Sequence, residues 1–394
     1  MVIAIASYLW SSDYRTFREG DRPKSKINLQ KDKGSRASSL GLRTPKPTLG
    51  LPRCDRLPTT CLQWEKTRQN DCMTAIPVSL LRAESYEPDA LRASLEALLA
   101  PLGGMGAIVK PGDRVLLKPN LLTGARPTKE CVTRPEVVAC VAQMVREAGG
   151  EPFLGDSPAF GSARGVAEAN GYKPLLESLN LPVVEFHGKR YEVVNESFNH
   201  LRLCKEAMEA DVVINLPKVK SHAQLTLTLG VKNLFGCVPG KMKAWWHMEA
   251  GKDRDRFGEM LVETARAIAP DLTIADGILG HEGNGPSGGE PRQISVLAAS
   301  QNVFALDRAM VDILSVDPQS VPTIAASQRL GLCPDPADLT FPLQTPAELQ
   351  LPDWRLPSRL IPIDFGLPRV MKSSFKHLYI RWLKEPLRAY ANRS

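Results

Sequence analysis

The chain has eight cysteines, at positions 54, 61, 72, 131, 140, 204, 237 and 333, and no two are spaced as C-x-x-C. That spacing argues against a ferredoxin-type cluster or a zinc ribbon. An iron–sulfur cluster within this chain would need dispersed thiols such as Cys131, Cys140 and Cys237, and this reading is disfavoured. Eight cysteines in 394 residues are too few for a disulfide framework, so a reducing, cytoplasmic setting is expected. No run approaches the roughly 18 apolar residues that a membrane-spanning helix requires. The apolar opening, residues 1–10, has no basic region before it and makes a poor signal peptide. An excess of positive charge is also missing from most of the chain. Residues 1–72 hold 14 Lys+Arg against 7 Asp+Glu, whereas residues 73–394 hold 36 of each. A nucleic-acid footprint needs basic residues gathered on a folded face, so no nucleic-acid partner is expected.

With 43% hydrophobic and 24% charged residues, the chain has ample material for a core. Residues 1–72 are rich in Ser, Lys, Arg and Pro without sustained periodicity. They read as a disordered extension. Met73 is the expected true start, with a targeting or interaction arm as the competing explanation of what precedes it. From residue 73 strand-like and helix-like runs alternate. Leu91, Leu95, Leu98 and Leu99 mark an early helix. Val137, Val138, Val141, Met144, Val145 and Ala148 form a second stripe, and Phe257, Met260, Leu261, Thr264, Ala265 and Ile268 a third. Short buried strands are expected at 115–117, 152–154, 183–186, 212–215, 272–275, 294–297 and 303–306. This alternation predicts an α/β fold, a largely parallel sheet flanked by helices, spanning residues 73–332. Residues 333–394 read as a Pro-rich extension ending in a basic amphipathic helix over 372–390. Phe375, Leu378, Tyr379, Trp382 and Leu383 would form its apolar stripe, among Lys372, Lys376, Arg381, Lys384 and Arg388. Such a helix suits a membrane surface or a protein partner, unless its apolar face packs back on the domain.

In parallel sheets, ligands bind beyond the carboxyl ends of the strands. Polar residues stand there: Lys118 and Asn120, Asp156 and Ser157, Asn215 and Lys218, Asp276, and Asp307. Helix capping accounts for any one of them; several together favour a site. The densest stretch runs from Asn215 to His222 and on to Lys232 and Asn233. Read with period two, Lys218, Lys220 and His222 share one strand face with Gln224, Thr226 and Thr228. Two ammonium groups and an imidazole in a row suit a phosphate or carboxylate, with His222 able to move protons. If residues 222–233 are helical instead, His222 still shares a face with Thr226, and Thr228 with Lys232. Residues 276–289 hold six glycines, too many for a regular element. Their peptide N–H groups can approach an anion, or Asp276 and Glu282 can hold Mg²⁺. Cys237 near His222 and His247 reads as a small buried thiol more readily than as a nucleophile.

The order of these motifs resembles the prokaryotic family catalogued as domain of unknown function 362. The resemblance rests on residues 115–120, 155–158, 218–222, 226 through 232–236, Lys241, His247, 276–286 and Asp307. It covers roughly residues 75–332. It implies no particular reaction, since the family has none assigned in general. Many of its members carry a ferredoxin-like module with C-x-x-C motifs, which this chain lacks. The expected activity is thus action on an anionic small molecule, with His222, Lys232 and Asp156 as catalytic groups. Lys118, Asn120, Lys218, Lys220, Asn233, Lys241, His247, Gly283 and Gly285 are the expected substrate contacts. The competing expectation is a non-catalytic accessory protein of a redox or membrane-associated system.

Overall fold

The computed structural model describes residues 75–124, 129–186, 190–193, 198, 201–250, 253–363 and 379–387. The expectation of disorder over residues 1–72 lies outside them. The central nine-stranded sheet is built from β1 (Ser79–Arg82), β2 (Arg114–Pro119), β3 (Glu151–Asp156), β4 (Val183–Glu185), β5 (Val212–Leu216), β6 (Lys218–His222), β7 (Thr226–Thr228), β8 (Leu272–Glu282) and β9 (Glu290–Ser300). The order runs β7-β6-β8-β5-β2-β3-β4, with β9 joining β8 to β1. Pairing is parallel through β2, β3, β4 and β5 and between β8 and both β5 and β6. It is antiparallel for β6–β7, β8–β9 and β9–β1. The α/β architecture with a mostly parallel sheet flanked by helices is therefore as the hydrophobic pattern predicts.

The parallel strands are apolar on both faces because helices cover both. Helix α1 (Pro88–Leu99) buries Leu91, Leu95, Leu98 and Leu99, and α2 (Pro135–Glu147) buries Val137, Val138, Val141, Met144 and Val145. These join Val115, Leu117, Leu154 and Ile214 in one core cluster. Helix α3 (Ala163–Ala169) follows β3 and is capped by Ser162, whose Oγ accepts from Gly165 N at 3.0 Å. After β7 come the short α4 (Gly230–Asn233), α5 (Gly240–Glu249) and α6 (Arg254–Ile268). Phe257, Met260, Leu261 and Ala265 of α6 pack with Leu116, Val213, Phe235 and Trp246 in a second cluster.

Two expectations are corrected. Residues 303–306 are not a strand but the start of α7 (Val303–Ile313). The Asn302 side chain accepts from Phe304 N at 2.9 Å and Ala305 N at 3.0 Å, which initiates a helix. A helix buried nearly all round reads locally like a buried strand, because both are short apolar runs. The glycine-rich stretch is also partly regular: β8 continues through Asp276 to Glu282, with a register shift between Gly277 and Leu279. Glycine is needed there for close approach. A Cβ at Gly277 would lie 2.7 Å from Val296 O, and one at Gly285 only 1.9 Å from Ser221 O.

A G285A substitution should thus destabilise the protein by about 1–3 kcal/mol, because backbone must move to admit the methyl group. G106A, which adds a methyl group to open space, should be neutral or slightly stabilising. Urea denaturation of both variants checks this; equal stability of the two would contradict it.

Candidate functional site

The strand ends carry the polar residues to one side of the sheet. Asn120 follows β2, Asp156 ends β3, and His222 ends β6. Register places Lys118 beside Asn215 and Asp276 beside Lys218. Helix α4 is aimed by Asp307 of α7, whose carboxylate accepts from Gly230 N at 2.7 Å and Val231 N at 3.0 Å. Burial raises the Asp307 carboxyl to about 7, against the lowering effect of those two N–H donors. Asp307 thus acts as a helix cap. It fixes the turn that presents Lys232 and Asn233.

A cleft of about 480 Å³ opens at this rim. Asn120, Asp156, His222, Lys232, Asn233 and His247 line it, with Ser157, Phe160, Gln224, Lys243, Pro286 and Ile361. Lys118 lies just beneath. Its Nζ reaches Asp156 Oδ1 at 2.8 Å and donates to Pro119 O at 2.8 Å. Asp156 Oδ2 accepts from Leu121 N at 3.1 Å and Oδ1 from Ser157 N at 2.9 Å. Gly236 covers this pair so closely that a Cβ would lie 2.1 Å from Asp156 Oδ1. Asn233 Nδ2 donates to Lys118 O at 3.1 Å and to Asn215 Oδ1 at 2.8 Å, tying α4 to two strand ends.

The other predicted lysines divide by environment. Lys218 is fully buried, 3.0 Å from Asp276 Oδ2 and 3.5 Å from Glu130 Oε2, with Tyr86 Oη at 3.1 Å. Lys220 donates to Asn120 Oδ1 at 2.9 Å and to Cys131 O at 2.5 Å; burial pulls its ammonium down to about 8. Neither lines the cleft, although Lys220 holds Asn120, which does. The side chain of Lys241 lies outside the described residues. Gly283 and Gly285 stand behind the rim, where Gly283 O accepts from Ser221 Oγ at 2.6 Å and Gly285 O from Ala223 N at 2.9 Å. Asp276 and Glu282 do not come together: the first holds Lys218, and Glu282 Oε1 receives Arg355 Nε at 2.6 Å. Among the described residues no three of His, Cys, Asp and Glu gather where they could share a metal ion. Cys237 is buried, and burial pushes its thiol up to about 12.

Lys232 and Lys243 differ from the rest. Neither forms an ion pair among the described residues. Lys232 Nζ stands 4.8 Å from the Phe235 ring centre, and Lys243 Nζ donates to Ser157 O. Loss of water pulls Lys232 down to about 7, helped by the charges of Lys243, Lys220 and Lys118. Loss of water likewise pulls Lys243 down to about 8. Lys243 was not among the expected contacts. Its signal was present, since it shares a face of α5 with His247 at i, i+4 spacing.

The two cleft histidines have different hydrogen-bond assignments. His222 Nδ1 accepts from Gln224 N at 3.1 Å. Burial and the nearby lysine charges hold its imidazole well below the usual range, so it is neutral with the proton on Nε2. His247 Nδ1 lies 3.1 Å from Ile363 O, which can only accept; Nδ1 therefore carries a proton, and in the neutral ring Nε2 keeps the lone pair. His281 is structural, with Nδ1 at 2.7 Å from Lys129 O and Nε2 accepting from Gly289 N at 2.9 Å.

Residues 115–312 match the family model described as "Domain of unknown function (DUF362)". The chain belongs to this family. It is 70% identical over 317 residues to the thylakoid-associated protein sll1697 of Synechocystis sp., across 80% of this chain and 99% of that protein. Among solved structures it overlaps the lactate racemase apoprotein of Thermoanaerobacterium thermosaccharolyticum with a TM-score of 0.42 at 12% identity. That overlap covers 62% of this chain and 59% of the other, a likeness too loose to bear on the chemistry.

The environments predict a contrast in stability. K218M leaves Asp276 buried without its cation, while Glu130 keeps Arg134 at 3.3 Å, and should cost about 3–5 kcal/mol. Chemical denaturation measures it; a loss under 1 kcal/mol would refute the structural role.

Proposed function

We propose that this protein binds a small phosphate- or carboxylate-bearing molecule in the cleft and moves a proton on it. The observation that carries this reading is the pair of ammonium groups, Lys232 and Lys243, at the wall of a concave site with no carboxylate paired to either among the described residues. Asp156 makes its close ion pair with Lys118 instead, although its charge still favours both ammonium groups. An anion supplies the missing partner. Charge-assisted hydrogen bonds to it are stronger than neutral ones. His222, with its proton on Nε2, acts as the donor to an oxygen of the ligand. His247, with its lone pair on Nε2, serves as the base. Asp156 holds Lys118 beneath the cleft and Asn233 ties α4 to the strand ends, rather than meeting the reacting atoms. Mg²⁺ remains a proposed companion of a phosphate ligand, brought in with it, since Asp276 and Glu282 are occupied by Lys218 and Arg355.

A second reading concerns location. The 70% identity with a thylakoid-associated protein supports work at a membrane surface, as an enzyme or as an accessory protein of a redox or membrane system. No helix of the described residues is long and apolar enough to cross a bilayer, so this reading is one of peripheral attachment.

Two measurements test the cleft. K232M should weaken binding of inorganic phosphate or of a small dicarboxylate roughly 10- to 150-fold by calorimetry, the worth of one charge-assisted bond. Binding unchanged in this variant would remove the proposal. In the free protein Lys232 loses its proton near pH 7 instead of the usual 10.5, so affinity should fall from pH 6 to pH 9. Stability moves the opposite way. Between pH 7 and 10 the unfolded chain holds a proton on this lysine that the folded chain does not, so folding becomes more favourable as pH rises. K232M should therefore melt above the wild type at pH 6, with the gap narrowing toward pH 10.

A further inference from the structure

The four most exposed large apolar side chains among the described residues lie on a single helical segment, residues 379–387. Trp382 is 73% exposed, Leu387 66%, Tyr379 58% and Leu383 55%, whereas no large apolar residue elsewhere exceeds 43%. Tyr379, Trp382, Leu383 and Leu387 thus make one exposed apolar stripe along this segment, whose residues Ile380–Lys384 form a π-helical turn. A helix that merely completed the domain would turn this stripe inward.

The opposite side of the helix is the one that is seated. Glu385 Oε1 accepts from Ser162 N at 2.9 Å, and Glu385 Oε2 from Ser162 Oγ at 2.9 Å. The socket is cut for this side chain. A Cβ at Gly161 would lie 2.7 Å from Glu385 Oε1, and one at Gly165 only 2.5 Å. Ile380 stands beside Gly161, 3.5 Å from the same hypothetical Cβ. The fold thus holds this helix by its acidic side and leaves its aromatic and leucine side outward.

The charge of the surrounding sequence selects the occupant. Residues 372–394 contain Lys372, Lys376, Arg381, Lys384, Arg388 and Arg393 against the single acid Glu385, which the socket already uses. An apolar stripe carrying Trp and Tyr within a strongly basic segment is complementary to an anionic lipid surface. The rings and leucines enter the headgroup boundary, and the cations meet the phosphates.

We propose that residues 379–387, seated on Ser162 by Glu385, form the element that docks this protein on anionic lipid bilayers. The proposal rests on the membrane-surface reading above and names the surface that performs it. The seat adjoins the cleft: Phe160, one residue before Gly161, lines it. Docking through this helix therefore holds the cleft beside the lipid headgroups, within reach of ligands that arrive along the membrane.

Flotation of the full chain with phosphatidylcholine vesicles, with and without phosphatidylglycerol, tests this. The wild type should float with phosphatidylglycerol vesicles, at least tenfold less with neutral ones, and at least tenfold less in high salt. The triple variant W382A/L383A/L387A alters exposed residues only and should keep the wild-type melting temperature while losing flotation at least tenfold. A variant that floats like the wild type would overturn the helix assignment and leave the membrane reading intact. A wild type that floats with neither vesicle would end both. Equal flotation with both vesicle types would overturn the anionic preference.

Discussion

The ammonium of Lys118 meets the carboxylate of Asp156 at 2.8 Å beneath the rim of the sheet, and the character of the cleft follows from that contact. A lysine and an aspartate so deeply buried are tolerable only as a pair with their remaining hydrogen bonds filled. Pro119 O, Leu121 N and Ser157 N fill them. Once made, this pair withdraws the one cleft carboxylate from its neighbours. Lys232 and Lys243 then face the cleft as cations without an ion-pair partner among the described residues. Had Asp156 not been taken by Lys118, it would have been available as the ion-pair partner of one of them.

Burying lysines is costly, and the chain handles each in a different way. Lys218 is matched by Asp276 and Glu130, and Lys220 by the neutral oxygens of Asn120 and Cys131. Burial pulls the Lys220 ammonium down to about 8, and neutral acceptors compensate that loss of water less fully than a carboxylate. Lys232, with the Phe235 ring beside it and no ion pair among the described residues, falls further, through burial and the charges of Lys243, Lys220 and Lys118, to about 7. The gradient from matched to unmatched cations runs from the strand interior outward to the cleft. Lys218, deep in the sheet, is held by its carboxylates, while Lys232 and Lys243 at the wall are left destabilised until a ligand arrives. Sites that carry function commonly keep such local conflict.

Much of this was legible in the sequence because strand periodicity is a strong constraint. Alternation placed Lys218, Lys220 and His222 on one face before any coordinates, and the polar residues after strands located the rim. The family was legible too, from motif order. What alternation cannot say is who stands opposite. The partners of Lys218 come from 58 and 88 positions away in sequence, and Tyr86 from 132. Period two therefore grouped a structural lysine with cleft-lining residues. Lys243 escaped notice for a related reason: its i, i+4 relation to His247 is local, but nothing local says that α5 lines the cleft. The stretch 303–306 misled because an all-round buried helix start has no polar face to betray its period. The glycines of 276–289 suggested a loop. Their purpose is instead to let backbones touch, at Gly277 against Val296 and at Gly285 against Ser221.

The segment 355–363 links these layers. Arg355 is fixed by Glu282 at the end of β8, through both its backbone N and its Nε. Ile361 N donates to Ala223 O at 2.8 Å, and Gln224 Nε2 donates to Pro362 O at 2.8 Å. Ile363 O then receives the proton of His247 Nδ1. A carboxylate first marked as a metal ligand thus anchors the strap that sets the tautomer of a cleft histidine. The same strap supplies Ile361 to the cleft wall. Cleft chemistry and the C-terminal extension are therefore a single construction. The carbonyl that dictates where the His247 proton sits is held in place by Gln224, which donates to Ile363 O at 3.3 Å, and by the burial of Ile363 in the core.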